Sequence, residues 1–189
     1  MFDVLPTLYT TNPTNIYHSG LLMNSSNIEF TRYQPEYGLE LVKMWRQSFQ
    51  EAMNLEKHNR FEELEGQLDY FSSIDLQSIL VAIDQSNSRI VAFRVLNSSE
   101  LDHLYVDVDY QGLGLGSALL DGAKQNSPEG LELYTFQKNL RAQQFYESHG
   151  FFEVQRGFAD SSTNPWAKSK EDLADIKYRW VPDEHLSDI

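Results

Sequence analysis

The sequence contains no cysteine, and basic residues are scarce in it. The absence of cysteine excludes disulfide bonds, catalytic thiolates and cysteine-ligated zinc, and it is typical of a protein from a reducing compartment. The 189 residues carry 15 Lys and Arg against 28 Asp and Glu, which gives a formal net charge of −13. A field of this sign repels phosphate backbones and anionic lipid headgroups, so neither nucleic acid nor a membrane surface is expected as a partner.

Long apolar runs are missing as well. No stretch approaches the roughly 18 consecutive apolar residues of a membrane span. The first basic residue is Arg32, so no charged leader of a secretory or organellar signal is recognisable, and a cytoplasmic location is expected. With 41% hydrophobic and 13% aromatic residues, a chain of this length is expected to form one domain around one sizeable core.

The first 26 residues differ in composition from the rest. They are rich in Thr, Asn and Ser, contain Pro6 and Pro13, and follow neither the helical nor the strand period. We expect a poorly ordered N-terminal arm over 1–26, either a frayed tail or an arm exchanged at an oligomer contact, and a single domain over 27–189. The sequence does not fix the oligomeric state, and a homodimer is one of the open alternatives.

The remaining chain alternates between the strand period and the helical period. Strands are predicted from residue 27 and over 78–83, 89–96, 101–108, 131–136, 151–156 and 176–181. Helices are predicted up to about residue 55, over 61–71, after the glycine-rich turn at 111–116, and from an Asn139 cap to Gly150. Helices inserted among consecutive strands predict a mixed α/β sheet with helices on both faces.

Residues 111–116, with the sequence Gln-Gly-Leu-Gly-Leu-Gly, form a glycine-rich turn between a predicted strand and a predicted helix. Glycines let the backbone approach a ligand, and the free N–H groups at the start of a helix bind anions. The turn therefore favours phosphate binding, although glycines at such a turn also serve close packing. The spacing Gly-x-Gly-x-Gly matches neither the nicotinamide dinucleotide motif nor the nucleotide P-loop.

A second motif lies downstream, where a predicted strand runs into a predicted helix. Together the two motifs resemble the acyl-CoA-binding signature of the GNAT superfamily, the N-acetyltransferases that use acetyl-CoA. The matching residues are Gln111, Gly114, Gly116, Asn139, Ala142, Phe145, Tyr146, Gly150 and Phe151. The resemblance is sharp from about Leu101 to Val154 and looser over 27–96. It implies a mixed, mostly antiparallel central sheet of about six or seven strands with helices on both faces.

The resemblance also implies acetyl-CoA as the co-substrate. The backbone of Val106 and Val108 would bond the pantetheine arm as if it were an added strand, and the amides over 112–117 would hold the pyrophosphate. Asn139 would bond the pantetheine amides, and Phe145 would pack beside them. The residues assigned to the cofactor in this way are Val106, Val108, Gln111, Gly112, Leu113, Gly114, Leu115, Gly116, Ser117, Asn139 and Phe145.

The sequence departs from the family at the glycine turn. Many members place Lys or Arg inside it, where this chain has Leu113 and Leu115. The phosphates would therefore depend on backbone N–H groups and the helix dipole, with Lys124, Lys138 or Arg141 as more distant partners.

The resemblance places Tyr146 beside the thioester sulfur as the general acid, since a phenol is protonated at neutral pH and can donate to a departing thiolate. The alternative is that Tyr146 only packs. A cationic amine must also lose a proton before it attacks. The family's catalytic strand positions fall on Glu100, which we rank first, and Asp102. A one-residue slip at a bulge would turn His103 to the catalytic side of the strand instead. The remaining alternative is that all three residues only form the edge of the sheet or support the site without touching the substrate.

Acidic residues gather in the first two predicted helices and their connection, which in this family border the acceptor pocket. They would attract a cationic amine, or they form a solvated face. These residues are Glu51, Glu56, Glu62, Glu63, Glu65 and Asp69. No metal site is expected, because the spacing of His18, His58, His149 and His185 is not that of metal ligands.

The sequence thus predicts an N-acetyltransferase that moves an acetyl group from acetyl-CoA to a primary amine, on a small molecule or a peptide, by direct attack. The alternative is a non-catalytic CoA-binding or protein-binding module of the same fold. Tyr146 favours the enzyme, because a binding module needs no acid at that position. The sequence does not name the amine.

Overall fold

The computed structural model describes residues 27–56 and 64–182, and its seven strands form one sheet. The predicted N-terminal arm lies outside the described residues. The strands are β1 (Ile28–Arg32), β2 (Ile79–Asp84), β3 (Arg89–Asn97), β4 (Glu100–Val106), β5 (Leu131–Phe136), β6 (Phe152–Phe158) and β7 (Ala174–Trp180). The α-helices of this part are α1 (Gly38–Ala52), α2 (Glu65–Ser73), α3 (Leu115–Gln125) and α4 (Leu140–Ser148).

The strands follow the order β1-β2-β3-β4-β5-β7-β6. Neighbouring strands are antiparallel except β4 and β5, which are parallel. The prediction of a mixed, mostly antiparallel sheet is therefore confirmed. Among the helices of the described ranges, none has the length and apolar character that crossing a membrane would require.

The helices cover the sheet from both sides. On one face Phe93 and Val95 of β3 pack with Leu41 of α1 and Phe71 of α2. On the other face Ala92 packs with the side chains of α3. Because both faces of β3 are covered, its residues form a nearly continuous buried run instead of an alternating one.

The parallel pair β4 and β5 stays together over a very short length. Glu100 and Glu132 are the one registered pair between these strands in the described part of the chain. Beyond it the strands separate, while β4 continues to pair with β3 up to Val106. The carboxyl-terminal half of β4 therefore presents an unpaired backbone edge to a gap in the middle of the sheet.

The strand β4 ends two residues earlier than predicted. Asp107 accepts a hydrogen bond from the N–H of Asp109 at 2.9 Å and starts a 3-10 turn over Val108–Tyr110. Val108 therefore lies in this turn and not in the strand, and its backbone contact with the pantetheine arm stays a prediction. The cause of the early end of β4 is a local side-chain cap that competes with the sheet for the backbone.

A bulge interrupts the pairing of β4 with β3. Val95 pairs with His103 and Leu96 pairs with Leu101, so Asp102 is the extra residue. As a result Leu101 packs on the α3 side of the sheet, whereas His103 contacts Trp45 of α1 on the opposite side. The bulge that the sequence left open for this strand is therefore present.

The first two helices also differ from prediction at their ends. The helix α1 stops at Ala52, three residues early, and Asn54 adopts a left-handed conformation with φ of +53° just after it. The helix α2 continues to Ser73, whereas residues 57–63, where we expected it to begin, lie outside the described residues.

Candidate active site

A cleft of about 690 Å³ lies where β4 and β5 separate. Its walls are the last turn of α1, the end of β4, the glycine turn and the first half of α4. The cleft thus brings together Val106, the glycine turn, Asn139, Phe145 and Tyr146, which the sequence had grouped from two separate motifs.

The glycine turn presents its backbone to this cleft. Gly112 and Gly114 have φ values of +79° and +84°, and a Cβ atom on either would meet no atom within 4 Å. Gly114 is also the N-cap of α3, where no side chain accepts a hydrogen bond from the first helical turn. Open space in front of uncapped N–H groups at the positive end of a helix dipole fits an anion.

Gly116 has a different role in the same turn. A Cβ atom there would lie 3.4 Å from Cζ of Phe145 and 3.7 Å from Cγ2 of Val106. The glycine lets α3 approach both side chains closely. The turn therefore combines the two alternatives that the sequence left open, an exposed backbone at Gly112 and Gly114 and close packing at Gly116.

The two leucines of the turn point in different directions. Leu113 is 44% exposed, whereas Leu115 is buried in the core with Tyr110 and Leu119. Ser117 also lines the cleft, and its hydroxyl lies 3.0 Å from Nε2 of His149. Neither leucine supplies a charge to the turn.

Positive charge comes to this end of the cleft from the start of α4. Lys138 and Arg141 both line it. The Arg141 guanidinium donates to the side-chain oxygen of Gln111, and Lys138 forms an ion pair with Asp172. Lys124, the third predicted partner, instead donates to the backbone oxygen of His149.

The carbonyl of Val106 points away from β3 and into the cleft. It accepts hydrogen bonds from the Ser48 hydroxyl at 3.0 Å and from the Gln111 amide at 3.1 Å. Both donors are side chains, which can rotate away from the strand edge. A strand-like ligand that pairs with β4 here would compete with them for this carbonyl.

Asn139 caps α4, as predicted. Its side-chain oxygen accepts from the N–H of Ala142 at 3.0 Å, so a contact with a ligand would use its side-chain nitrogen. Six residues further on, Phe145 contacts Gly116, and its ring centroid lies 5.3 Å from that of Tyr146.

Tyr146 lines the cleft and is 7% exposed. Its ring packs with those of Phe145, Phe151 and Tyr178. Burial raises the pKa of the Tyr146 phenol far above its usual range, and the neighbouring Tyr105 raises it further. The hydroxyl is therefore protonated at neutral pH, which is the state that a proton donor requires.

The comparisons with known proteins agree with this geometry. A sequence profile of the acetyltransferase (GNAT) domain matches residues 75–153. The peptidyl-lysine N-acetyltransferase YjaB of Escherichia coli is 28% identical over 139 residues, which cover 74% of this chain and 92% of that protein. YjaB of Salmonella typhimurium is 27% identical over the same length, with 74% and 93% covered.

The resemblance to the GNAT N-acetyltransferases that the two motifs indicated is therefore confirmed for residues 75–153. Solved structures of GNAT acetyltransferases share the fold of this chain. The solution structure of apo YjaB from Escherichia coli superimposes with a TM-score of 0.61 at 24% identity, covering 82% of this chain and 97% of that one. A GNAT acetyltransferase from Staphylococcus aureus gives 0.56 at 25% identity, covering 81% and 98%.

In this acetyltransferase the two predicted proton acceptors on β4 are exposed and do not line the cleft. Glu100 begins β4, about 20 Å along the strand from Val106. The pKa of the Lys177 amine is raised mainly by the hydrogen bond that it donates to Glu132, and the nearby charge of Glu100 raises it further. Asp102, at the bulge, accepts a hydrogen bond from the side chain of Asn97. Their catalytic role stays a prediction.

His103, the third candidate, lies among aromatic rings between β4 and the first two helices. Its ring centroid is 5.0 Å from that of Trp45, and its Nε2 is 2.8 Å from the hydroxyl of Tyr70. Burial lowers the pKa of His103 to about 4, so the imidazole is neutral at physiological pH. The bulge does bring His103 to the α1 side, but it does not line the cleft.

The acidic residues that were expected to border the acceptor pocket of the GNAT enzyme do not act as one group. Glu51, in the last turn of α1, lines the cleft. Glu56, Glu65 and Asp69 are exposed and lie outside the cleft lining. Glu62 and Glu63 lie outside the described residues. Within residues 27–56 and 64–182, no three His, Asp or Glu side chains are grouped as metal ligands.

Sequence reasoning missed two residues of this site, Ser48 and Tyr105, which both line the cleft. Ser48 is buried at 4% exposure on the side of α1 that faces the sheet. A small polar residue on an otherwise apolar helix face could have marked it. Tyr105 stacks on Phe93 with ring centroids 5.7 Å apart and reads as an ordinary strand residue in the sequence.

Proposed function

We propose that this N-acetyltransferase moves an acetyl group from acetyl-CoA to a primary amine by direct attack. The observation that carries the proposal is the cleft between β4 and β5. It combines an unpaired strand edge, an uncapped helix N-terminus and a buried, protonated tyrosine in one space. These are the groups needed to bind an amide-containing arm, to bind phosphate and to supply a proton.

The residues present fit acetyl-CoA. The backbone N–H groups over 112–117 would hold the pyrophosphate, in the open space in front of Gly112 and Gly114. Lys138 and Arg141 would add positive charge at the same end of the cleft. The pantetheine arm would run along β4 at Val106, with Asn139 and Phe145 on its other side.

Acetyl-CoA, when bound, supplies an activated acyl group as a thioester. A neutral amine attacks the thioester carbonyl and forms a tetrahedral intermediate, and the carbon–sulfur bond then breaks. Tyr146 would protonate the departing thiolate. The burial that raises the pKa of Tyr146 would also raise the proton affinity of a thiolate formed beside it, so the transfer between them stays feasible. Glu100 and Asp102 stay the sequence's candidates for taking the proton of the amine.

Lysine side chains of peptides are the acceptor class that we propose. Both YjaB relatives are named peptidyl-lysine N-acetyltransferases. A lysine carries a positive charge before it reacts, and the net charge of −13 favours its approach. Polyanionic acceptors such as RNA are disfavoured by the same charge.

The test is thiol release from acetyl-CoA in the presence of lysine-containing peptides and a panel of small primary amines. We expect release with a lysine peptide and the gain of one acetyl group per peptide by mass spectrometry. The matched control is the same peptide already acetylated on its lysine, which should release no thiol. Calorimetric binding of acetyl-CoA without thiol release for any amine would contradict the proposal and favour the non-catalytic CoA-binding module.

A further inference from the structure

The cleft is lined by charges of both signs. Lys138 and Arg141 line it beside the glycine turn, and Glu51 lines it at the end of α1. Within the described residues, Glu51 is the one carboxylate among the residues that line this cleft. A cleft lined in this way suits two ligands of opposite charge, an anionic cofactor that contacts the two cations and a cationic partner that contacts the carboxylate.

The position of Glu51 follows from the packing of α1 on the sheet. Three residues earlier on the helix, the Ser48 hydroxyl donates to the carbonyl of Val106 at 3.0 Å. Residues three apart lie on the same helix face, so Glu51 is held on the side of α1 that faces the end of β4. Ala52, the next residue, lines the cleft as well.

The Glu51 carboxylate is in an unfavourable place for the helix itself. It lies in the last turn of α1, where the helix dipole is negative and no basic residue is present. A carboxylate there is repelled by the negative end of the helix dipole. Its carboxylate forms no hydrogen bond or ion pair with any other residue that the structure describes. The positive charge of a bound cation would interact favourably with both the negative end of the helix dipole and the Glu51 carboxylate.

We propose that Glu51 binds the ammonium group of the acceptor and takes its proton. This assignment rests on the proposed acetyl transfer. One proton passes from R–NH3⁺ to the Glu51 carboxylate, and the neutral amine attacks the thioester carbonyl. The carbon–sulfur bond breaks, and the thiolate receives the proton of Tyr146. The nitrogen of the new amide gives its second proton back to Tyr146 through water, and Glu51 releases its own to solvent, so the turnover yields one free proton.

The two carboxylates of β4 are less suited to this role. Asp102 accepts a hydrogen bond from the side chain of Asn97, whereas Glu51 has no such partner among the described residues. Glu100 lies near Lys177, an amine that would compete with the acceptor for its charge. Neither lines the cleft that holds Tyr146.

The experiment compares three variants that each remove one negative charge, Glu51→Gln, Glu100→Gln and Glu129→Gln. Glu129 is exposed in the loop that precedes β5, does not line the cleft, and is the matched control. For Glu51→Gln we expect kcat/KM for the lysine peptide to fall at least about tenfold. Calorimetric affinity for acetyl-CoA should stay within about twofold, and Glu51→Asp should recover part of the loss.

The salt dependence of kcat/KM is a second measurement, which a merely structural role of Glu51 would not alter. The wild-type kcat/KM for the peptide should fall as ionic strength rises from about 20 to 300 mM, and Glu51→Gln should flatten this dependence. Equal activity of Glu51→Gln and Glu129→Gln would overturn the assignment, as would a tenfold loss in Glu100→Gln alone. Absence of thiol release from the wild type with every amine would overturn the proposed function itself, and the role of Glu51 with it.

Discussion

Glu100 on β4 lies directly opposite Glu132 on β5, and beyond this pair the two parallel strands separate. The separation leaves the later residues of β4 without a neighbour on that side and opens the cleft in the middle of the sheet. Everything proposed for the site depends on it, because a closed sheet would offer no backbone edge to a ligand.

The glycine turn gives the first prediction. Gly114→Val should weaken acetyl-CoA binding at least about tenfold, or about 1.4 kcal/mol, as measured by calorimetry. Gly114 has a φ of +84°, which a branched side chain rarely adopts, and its Cβ would project into the space assigned to phosphate.

Gly114→Ala is a milder variant, which tests the same prediction if Gly114→Val does not fold. Gly66 in α2 is the matched control, since a Cβ atom there also meets no neighbour and its backbone is helical. Gly66→Ala should leave the affinity unchanged. An unchanged affinity in folded Gly114→Val protein would place the phosphates elsewhere.

The second prediction concerns the proton donor. Tyr146→Phe keeps the ring that packs with Phe145, Phe151 and Tyr178, so acetyl-CoA affinity and thermal stability should change little. The kcat should fall by about 10²-fold, the typical loss when a general acid is removed.

Tyr178→Phe is the control for losing a buried phenol. Its hydroxyl donates to Glu147 at 2.8 Å, so this variant should lose about 1 kcal/mol of stability and keep its kcat. Wild-type kcat in Tyr146→Phe, under conditions where chemistry limits the rate, would show that Tyr146 only packs.

The third prediction concerns pH and stability. His103 has a folded pKa of about 4, below its unfolded value near 6.5, because it is buried. Between these values the unfolded state binds more protons. The contribution of neutral, buried His103 to the free energy of unfolding is therefore complete above pH 6.5. It is lost as the pH falls toward 4, and the loss is at most about 3 kcal/mol.

Denaturant unfolding at several pH values checks this, with His103→Phe compared to the wild type. The difference in unfolding free energy between the two proteins should change with pH between about 4 and 6.5 and be constant above. Tyr70→Phe removes the hydrogen bond to His103 but not the burial, so it should keep the wild-type pH dependence. A difference that does not vary with pH would mean that His103 titrates near its ordinary value.

The fourth prediction concerns a buried cation in β3. Arg94 is 7% exposed, and its Nε and Nη1 atoms have no hydrogen-bond acceptor within the described part of the chain. Burial lowers the pKa of its guanidinium. Arg94→Met should therefore raise the unfolding free energy, by about 1–4 kcal/mol in denaturant titrations.

Arg32 is the matched control for Arg94. It is exposed and donates to the backbone oxygen of Gln77, so Arg32→Met should change stability by no more than about 0.5 kcal/mol. A clear loss of stability in Arg94→Met would show that ordered water satisfies the Arg94 guanidinium.

Residues close together in the chain specify the local elements and the two motifs. The alternation of periods predicted the strands and helices, and the turn at 111–116, the Asn139 cap and the left-handed Gly150 were all confirmed. These features depend on residues close together in the chain, so the local sequence suffices to specify them.

Contacts between distant parts of the chain determine which side chains meet in the cleft. Ser48 contacts Val106 across 58 residues of chain, and this contact places Glu51 at the site. The bulge at Asp102 and the separation of β4 from β5 after Glu100 arise from pairing between strands. A local period does not encode them, because the register of a strand is set by its neighbours in space.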